Sequence, residues 1–318
     1  MRLGSWFACA VLLLAHGGAA AQAALAVIAC PPELPRDRTA VAADERNRGL
    51  LWRMTRDGRS SFLYATLHLG RPHWRVPGPV VQAALRDSDL VALELDTSDP
   101  DIARQLVVAM QEMSHAAVDL REPMRERIAA LVRRACLPED ALSTMHPVMQ
   151  AMTLSMLESR WEDLHPQFGQ EVSLKRYALA HHKPVLSLET PAQQFAALMP
   201  EAGDDLTAAM AHALQQLELG GLRVMVRRLA DAWERGDLPE LAAYASWCEC
   251  VEDAQDRRAL KRLIDDRNVV LAARITELHQ RDRKVFAAVG ALHMTGAQAL
   301  PMLMQQRGFT VERVTMLR

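Results

Sequence analysis

Two histidines in this sequence follow apolar segments and are themselves followed by glycine. In "FLYATLHLG" the apolar run leads to His68, and in "VFAAVGALHMTG" it leads through Gly290 to His293. A neutral imidazole accepts or releases a proton near neutral pH and is also a common metal ligand. The two segments therefore predict a site in which two imidazoles act together.

Carboxylates end two further apolar segments. "DLVALELD" reaches Glu94 and Asp96, and "PVLSLET" reaches Glu189. Imidazole and carboxylate ligands together suit Zn, Mn, Co or Fe, and an ion with an open position generates a nucleophilic water near neutral pH. We predict a divalent-metal site for Mn, Co or Zn, with His68, His293 and Glu94 as ligands. Each histidine taken alone is also consistent with a loop hydrogen bond.

A polar pair interrupts an apolar helical pattern late in the chain. Apolar residues at helical spacing between positions 260 and 278 form one stripe, and Arg267 and Asn268 fall inside it. A buried guanidinium requires an anionic partner. The pair is either a structural salt bridge or a group that faces a cleft and holds a substrate carboxylate or carbonyl.

The elements that must position these residues are short apolar strands between long helical stretches. Asp57-Gly58 lies between two β-favouring runs and predicts a tight hairpin turn. "DLVALELD", "KPVLSLE", "KVFAAVG" and "FTVERVTML" are typical of buried strands in a largely parallel sheet. We predict an α/β fold with a mainly parallel central sheet, flanking helices and a large helical insertion. Ligands of such sheets bind beyond the carboxyl ends of the strands, where we expect the active site.

The N-terminus is typical of a secretory signal peptide. A basic Arg2 precedes an apolar segment, and Ala21-Gln22-Ala23 suits signal peptidase. We expect cleavage near Ala23 and a periplasmic or secreted protein. Residues 27–30 loosely fit the motif before a lipidated cysteine, so a lipoprotein modified at Cys30 is an alternative.

The remaining chain is divided by composition. Residues 24–48 are proline-rich and then charged, which predicts a surface lead-in. We predict one domain over residues 49–318, with helical insertions at about 100–180 and 200–280. No run after the signal approaches the roughly 20 apolar residues of a transmembrane helix.

Charge and motifs exclude several function classes. The formal net charge of −2 provides no basic field for nucleic acid. The sequence contains no H-E-x-x-H, no G-x-S-x-G and no phosphate- or dinucleotide-binding glycine pattern. These absences argue against a standard zincin, a serine hydrolase and a nucleotide-dependent enzyme. The oligomeric state stays open.

Four cysteines follow the predicted signal, which is an even number in a compartment that permits disulfides. We expect two bridges among Cys30, Cys136, Cys248 and Cys250. Three pairings are possible. We favour one in which Cys30 and Cys136 each reach one of Cys248 and Cys250, because so tight a loop rarely closes on itself. A thiolate metal site at "CEC" is an alternative, although no second Cys/His pair has zinc spacing.

Several segments resemble, in the right order, the TraB/GumN family, which includes the TIKI metalloproteases. The resemblance extends from about Leu50 to Val314. The segments that carry it are "SSFLYATLHLGRPHW", "DLVALELD", "FGQEVSLKRYALAHHKPVLSLETPAQQF", "AWERGD", "DDRNVVLAARI" and "VFAAVGALHMTGAQAL".

The resemblance implies a metal-dependent active site built from two G-x-x-H motifs and an acidic residue. The second motif is intact from Gly290 to His293, whereas the first has Ala65 in place of glycine three residues before His68. An added Cβ at Ala65 would hinder a close backbone approach or a positive φ. Glu94 matches the family's strand-end glutamate. Glu189 matches the glutamate of its "LET" segment, and Arg267-Asn268 match its "RN" pair.

We therefore expect a metal-dependent hydrolase of the bacterial envelope that cleaves peptide bonds. His68, His293 and Glu94 would hold the ion, with Glu189 as a further ligand or a general base and Arg267 and Asn268 in the catalytic site. Two alternatives stay open. The same cleft could bind a ligand or a haem-like group without chemistry, or the helical middle of the chain could be the surface of an envelope interaction protein.

Overall fold

The fold is described from a computed structural model. It describes residues 30–31, 44–115, 120–201, 204–281 and 283–316. The predicted signal peptide and most of the lead-in before residue 48 lie outside these residues. Within the described ranges, no helix combines the length and the apolar character that crossing a bilayer requires.

A mixed sheet forms the centre of the described structure, and most of its strands are parallel. Its strands are β1 Leu51–Arg56, β2 Arg59–Thr66, β3 Leu90–Leu93, β4 Val185–Ser187, β5 Val285–Gly290 and β6 Thr310–Arg313. In the described chain the order across the sheet is β4-β3-β5-β2-β1-β6. The pairs β4/β3, β3/β5 and β5/β2 are parallel, and β2/β1 and β1/β6 are antiparallel. The predicted α/β class with a mainly parallel sheet is confirmed.

The hairpin between β1 and β2 forms at Asp57-Gly58, as predicted. Arg56 pairs with Arg59 across a two-residue turn. Asp57 and Gly58 have φ of 53° and 70°. Positive φ at both central residues is the geometry that matches the right-handed twist of the flanking strands, and Asp-Gly tolerates it.

The prediction of a buried parallel strand in "FTVERVTML" is wrong. That segment forms β6, which lies at the edge of the sheet antiparallel to β1, with Trp52 opposite Arg313. Thr310, Glu312 and Arg313 are exposed. The charged residues of this run mark an edge strand that is solvated on one side, which a central parallel strand does not tolerate.

Helices cover the sheet and fill the long connections between its strands. They are α1 Pro79–Asp87, α2 Pro100–His115, α3 Glu122–Arg134, α4 Pro147–Glu158, α5 Gln170–Ala180, α6 Pro191–Leu198, α7 Leu206–Leu219, α8 Gly221–Glu234, α9 Leu238–Ala242, α10 Tyr244–Trp247, α11 Ala254–Lys261, α12 Arg267–Gln280 and α13 Leu300–Gln306. Several begin with proline in the first turn, where its missing N–H leaves no hydrogen bond unmade.

The main core lies between the sheet and its helices. Trp233 of α8 is buried in it, and its indole Nε1 donates to the carbonyl of Ala65 at 2.8 Å. Gly49 has φ of 77°, and a Cβ there would lie 2.9 Å from the Trp233 ring. A second apolar cluster joins α3, α4 and α7 around Leu214 and Leu217. The connection between β3 and β4, which contains α3 and α4, thus packs against α7 of the connection between β4 and β5.

The favoured disulfide pairing is wrong. Cys30 bridges Cys136, with Cα atoms 5.7 Å apart, and Cys248 bridges Cys250 at 5.1 Å. Glu249 between the last two has φ of 52°, and this left-handed residue turns the chain so that both thiols meet. A loop of this length rarely closes when its middle residue has an ordinary backbone conformation, but here Glu249 is left-handed and the two cysteines can meet.

Candidate functional site

The parallel strands place the predicted site residues at one edge of the sheet. Glu189, Glu94, His293 and His68 follow the carboxyl ends of β4, β3, β5 and β2, which are consecutive across the sheet. Their common edge results from the parallel pairing, because parallel strands end on the same side. The sheet topology therefore assembles residues that are up to 225 positions apart in sequence (293 − 68).

His293 lies in a 3₁₀ turn, Ala291–Met294, directly after β5, and it is buried. Its Nδ1 is 2.7 Å from Oδ1 of Asn268. Nδ2 of Asn268 donates to the backbone carbonyls of His293 at 3.1 Å and of Gln298 at 2.8 Å. Because the amide nitrogen is occupied by two acceptors, its oxygen faces the imidazole and Nδ1 of His293 must be the protonated nitrogen.

The neutral imidazole therefore has its lone pair on Nε2. Burial lowers the pKa of His293 to about 4, although the charge of Glu94 acts in the opposite direction. Nε2 faces Nη1 of Arg267 at 3.3 Å and accepts from it. At neutral pH His293 thus presents an unprotonated Nε2, the form in which imidazole acts as a base or a ligand.

Arg267 bridges two buried carboxylates. Its Nε and Nη2 donate to Oε1 and Oε2 of Glu189 at 2.9 and 2.6 Å. Nη2 also donates to Oε2 of Glu94 at 2.5 Å. Burial disfavours the charged guanidinium, but the hydrogen bonds to Glu189 and the charge of Glu94 outweigh it and raise the pKa of Arg267. The arginine is a salt-bridged residue that also contacts His293.

The helix that carries this pair is interrupted immediately before it. Residues 262–266 form a π-helical turn between α11 and α12, and Nη1 of Arg267 donates to the carbonyl of Leu263 at 3.1 Å. The predicted single stripe from 260 to 278 is therefore wrong: Leu271 and Ile275 are buried, whereas Leu260 and Ile264 remain partly exposed. A π turn shifts the following residues around the helix axis, and such turns are common at functional sites.

Gly290 is the motif glycine that the geometry requires. Its N–H donates to Oε1 of Glu94 at 2.6 Å, and a Cβ at this position would lie 3.2 Å from the same oxygen. Burial raises the pKa of Glu94, but the charges of His293, His68 and Arg267 and this hydrogen bond lower it to about 2. Both oxygens of an ionised Glu94 are therefore engaged, one by Gly290 and one by Arg267.

Ala65 does not disturb the first motif. It lies within β2, pairs with Val289 of β5 and is fully buried in the core. It is absent from the described non-glycine residues with positive φ. The expected crowding by its Cβ does not occur, because the backbone here is an ordinary strand and the side chain points into the core.

His68 lies on the exposed side of the site. Its side chain is 69% exposed, and Nδ1 is 3.1 Å from Oε1 of Glu171, the second residue of α5. The same Glu171 oxygen accepts from Oγ1 of Thr66 at 2.6 Å. The charge of Glu171 raises the pKa of His68, and solvent around the exposed imidazole screens this pair.

Sequence reasoning missed Glu171. Its segment, "FGQE", packs against the loop of His68: a Cβ on Gly169 would lie 2.4 Å from the carbonyl of His68, and Gln170 exchanges hydrogen bonds with Leu67. The signal in the sequence is a glycine directly before a polar pair at a helix start, within a segment that carries the family resemblance. Asp96, in contrast, pairs with Lys175 at 2.7 Å.

The site thus has two parts that influence each other's charge. One consists of His293, Asn268, Arg267, Glu94 and Glu189, and the other of His68 and Glu171. Within the described chain, no three His, Cys, Asp or Glu side chains are spaced as a metal site. The arrangement can hold an anionic or carbonyl group near Arg267, and it offers Nε2 of His293 as a base or ligand.

Comparison with known proteins supports the resemblance found in the sequence. A family model described as "TraB/PrgY/gumN family" matches residues 50–313. No curated protein and no solved structure matches the chain.

Proposed function

The chain belongs to the TraB/PrgY/gumN family, and on this premise we propose that it is a metal-dependent hydrolase of peptide bonds in the bacterial envelope. One observation carries the proposal. At an edge formed by four parallel strands, Asn268 holds His293 with Nε2 unprotonated beside the ionised Glu94. A buried neutral imidazole next to a carboxylate is the pairing that hydrolytic sites use for proton transfer or metal binding.

The proposed metal ligands are His68, His293 and Glu94. Their donor chemistry suits Mn, Co or Zn, and the buried hydrogen bond from Asn268 to His293 is the outer contact that such ligands usually have. A bound ion would polarise the scissile carbonyl and lower the pKa of a water. The guanidinium of Arg267 now supplies the positive charge beside Glu94 and His293, so an ion at these two ligands must displace its Nη1 and Nη2.

The chain's own residues have separate roles in this proposal. Glu189 holds Arg267 through two parallel hydrogen bonds, which fixes the plane of the guanidinium. Arg267 would then orient a substrate carbonyl or stabilise an oxyanion with the N–H groups that face His293. The carboxylate of Glu171 accepts from Nδ1 of the exposed His68, which would leave Nε2 of that imidazole as the atom that holds the ion.

Export of the protein is part of the proposal. The bridge between Cys30 and Cys136 requires an oxidising compartment, and the bacterial periplasm is one. The predicted signal peptide agrees with this location. The lipoprotein alternative would need a free thiol at Cys30, whereas Cys30 is bridged to Cys136.

Calorimetric titration of Mn²⁺, Co²⁺ and Zn²⁺ into chelator-treated protein tests the metal. We expect one site per chain in the wild type and none in the His68→Ala/His293→Ala double variant, with unchanged circular dichroism. The matched control is His181→Ala, because His181 is exposed and follows the C-terminal end of α5, whereas Glu171, which contacts His68, lies in the first turn of that helix. Metal binding by the double variant equal to that of the wild type would exclude His68 and His293 as ligands.

A second candidate, metal-free ligand binding, is favoured by Arg267. Its guanidinium already forms ion pairs with Glu94 and Glu189, and among the described residues no trio is spaced for a metal. Such a protein would bind a carboxylate or carbonyl ligand at Arg267 without hydrolysing it. Incubation of a mixture of tryptic peptides with the wild type and with Glu94→Gln distinguishes the two functions. New peptide ends formed by the wild type alone support the hydrolase. If no new ends form with any of the three metals, the result supports ligand binding without hydrolysis.

A further inference from the structure

A cleft of about 480 Å³ lies beside the candidate site. One part of its apolar wall comes from Leu260 of α11, Ile264 of the π turn and Leu292 of the turn after β5. The other part comes from α9, α10 and Val251. The side chains of Leu260, Ile264 and Leu292 are partly exposed, although each is aliphatic. The volume is within the range of sites that hold small ligands or single side chains.

The cleft shares its backbone with the catalytic candidates. Leu292 directly precedes His293, and Ile264 and Asp265 lie three and two residues before Arg267. The π turn explains this arrangement, because it turns Ile264 out of the buried stripe and towards the cleft while Arg267 faces Glu94 and Glu189. The backbone segments that carry Arg267 and His293 therefore also form part of the wall of the cleft.

The charges around the cleft differ from one end to the other. Arg257 lines the end formed by α11, and within the described residues no carboxylate forms a salt bridge with it. Lys261, one turn later, is paired with Asp266. Asp265 lines the opposite end, near Gly296. The Arg257 end thus offers a free cation to an anionic group beside an apolar one.

We infer that this cleft is a specificity site for a peptide with a large apolar side chain followed by an acidic group. The apolar side chain fills the space between Leu260, Ile264 and Leu292, and the carboxylate lies against Arg257. Burial of a leucine- or phenylalanine-sized side chain supplies the affinity, and the charge complementarity at Arg257 sets the direction of the chain. This inference rests on the proposed hydrolase function and names the substrate class of that site.

Photo-crosslinking tests the cleft without relying on catalysis. The probe is an N-acetylated hexapeptide amide in which photo-leucine is followed by glutamate, and cross-linked peptides are mapped by mass spectrometry. The wild type is expected to react at residues of α11, the π turn or the turn after β5. Leu260→Gln should reduce the yield roughly 10-fold, the magnitude of one lost apolar contact. Arg257→Gln should reduce it roughly 2- to 5-fold, because Arg257 is exposed and an exposed ion pair contributes less.

The matched controls are Leu219→Ser and Arg53→Gln. Leu219 is 75% exposed on α7, and Arg53 is exposed on β1. Both should leave the yield unchanged. A second probe has glutamine in place of the glutamate after photo-leucine. Its cross-linking yield with the wild type should equal the yield of the first probe with Arg257→Gln.

Cleavage of a peptide mixture, run in parallel, separates the two proposals. Cross-linking in the cleft without cleavage by any metal-loaded form would support the cleft and contradict the hydrolase. Cleavage without a preference for an apolar residue followed by an acidic one would refute the proposed specificity of the cleft but not the hydrolase. Cross-linking that Leu260→Gln and Arg257→Gln leave unchanged would have the same meaning. Circular dichroism of each variant checks that a lower cross-linking yield does not result from unfolding.

Discussion

The side-chain amide of Asn268 fixes the tautomer of His293. Oδ1 accepts from Nδ1 of the imidazole at 2.7 Å, while Nδ2 of the same amide is held by the carbonyls of His293 and Gln298. Asn268 is fully buried, so no water replaces these contacts. The proton of a neutral His293 therefore stays on Nδ1, and Nε2 is the unprotonated nitrogen that faces Nη1 of Arg267.

Replacement of Asn268 by Leu should release this tautomer. We expect a loss of about 1–3 kcal/mol in the free energy of unfolding, because Nδ1 and two carbonyls lose a buried partner. Metal affinity or hydrolysis should fall roughly 10–100-fold. Nitrogen chemical shifts of labelled histidine report the tautomer directly. An Asn268→Leu protein that keeps the proton on Nδ1 would show that the amide does not set it.

Replacement of Arg267 by Met should leave two buried carboxylates without a counter-charge. We expect destabilisation of about 3–5 kcal/mol at pH 7. The loss should shrink at pH 5, because burial raises the pKa of Glu94 and the charge of Arg267 that opposes this is gone in the variant. Arg267→Lys should rescue little, since an ammonium lacks the planar fork that meets Glu189. Urea unfolding at both pH values measures this.

The Arg267→Met protein also tests how the arginine relates to a metal. If the guanidinium occupies the cation position between Glu94 and His293, removing it should strengthen binding of Mn²⁺ or Zn²⁺ in calorimetry. The double variant Arg267→Met/Glu189→Gln keeps the net charge of −1 that Arg267, Glu94 and Glu189 have together in the wild type, and it serves as the folding control. Weaker metal binding in both variants would mean that Arg267 supports the ion instead of replacing it.

Single-carbon changes at the two motif positions should both destabilise the protein, one by adding a Cβ and the other by removing one. Gly290→Ala places a Cβ 3.2 Å from Oε1 of Glu94 and should cost about 1–3 kcal/mol by forcing that carboxylate away. Ala65→Gly, which restores the family's usual motif, should instead cost roughly 0.5–1 kcal/mol and should not increase activity, because Ala65 packs in the core. Increased hydrolysis by Ala65→Gly would contradict this account.

Acid should weaken the fold in two steps. The pKa of His293 is lowered to about 4 from 6.5, so the contribution of the neutral imidazole is complete above pH 6.5 and declines as the pH falls towards 4. The pKa of Glu94 is lowered to about 2 from 4.5, so its ion pair is lost between pH 4.5 and 2. In urea unfolding, His293→Gln should abolish the first step. The exposed His181→Gln should follow the wild type.

The two disulfides should differ in their effect on stability. The Cys30–Cys136 bridge spans 106 residues, and its removal by Cys30→Ser/Cys136→Ser should cost on the order of 4–5 kcal/mol. The Cys248–Cys250 bridge spans two, and Cys248→Ser/Cys250→Ser should cost on the order of 1–2 kcal/mol. Non-reducing peptide mapping checks the pairing itself. A cross-link between Cys136 and either Cys248 or Cys250 would contradict the structure.

Local patterns in the sequence were sufficient for the first turn, the parallel strands and the residues that follow them, but not for the edge position of β6. Asp57-Gly58 has a backbone geometry that few other pairs adopt, so its turn is legible without tertiary information. The apolar run before Gly290 can also be predicted from its own residues, because a short apolar segment bounded by glycine is typical of a buried strand. Because parallel strands end on one side, the sequence also determined that Glu94, Glu189 and His293 share an edge.

Only the tertiary structure decided how those residues pair. No local rule shows that Arg267 bridges Glu94 and Glu189, which lie in different connections, or that Glu171 of α5 meets His68. The π turn before Arg267 depends on packing around the helix, and the Cys248–Cys250 bridge depends on the left-handed Glu249. Hydrogen bonds and ion pairs between distant segments are selected by the whole fold, since each one forms only where packing brings its two groups within about 3 Å.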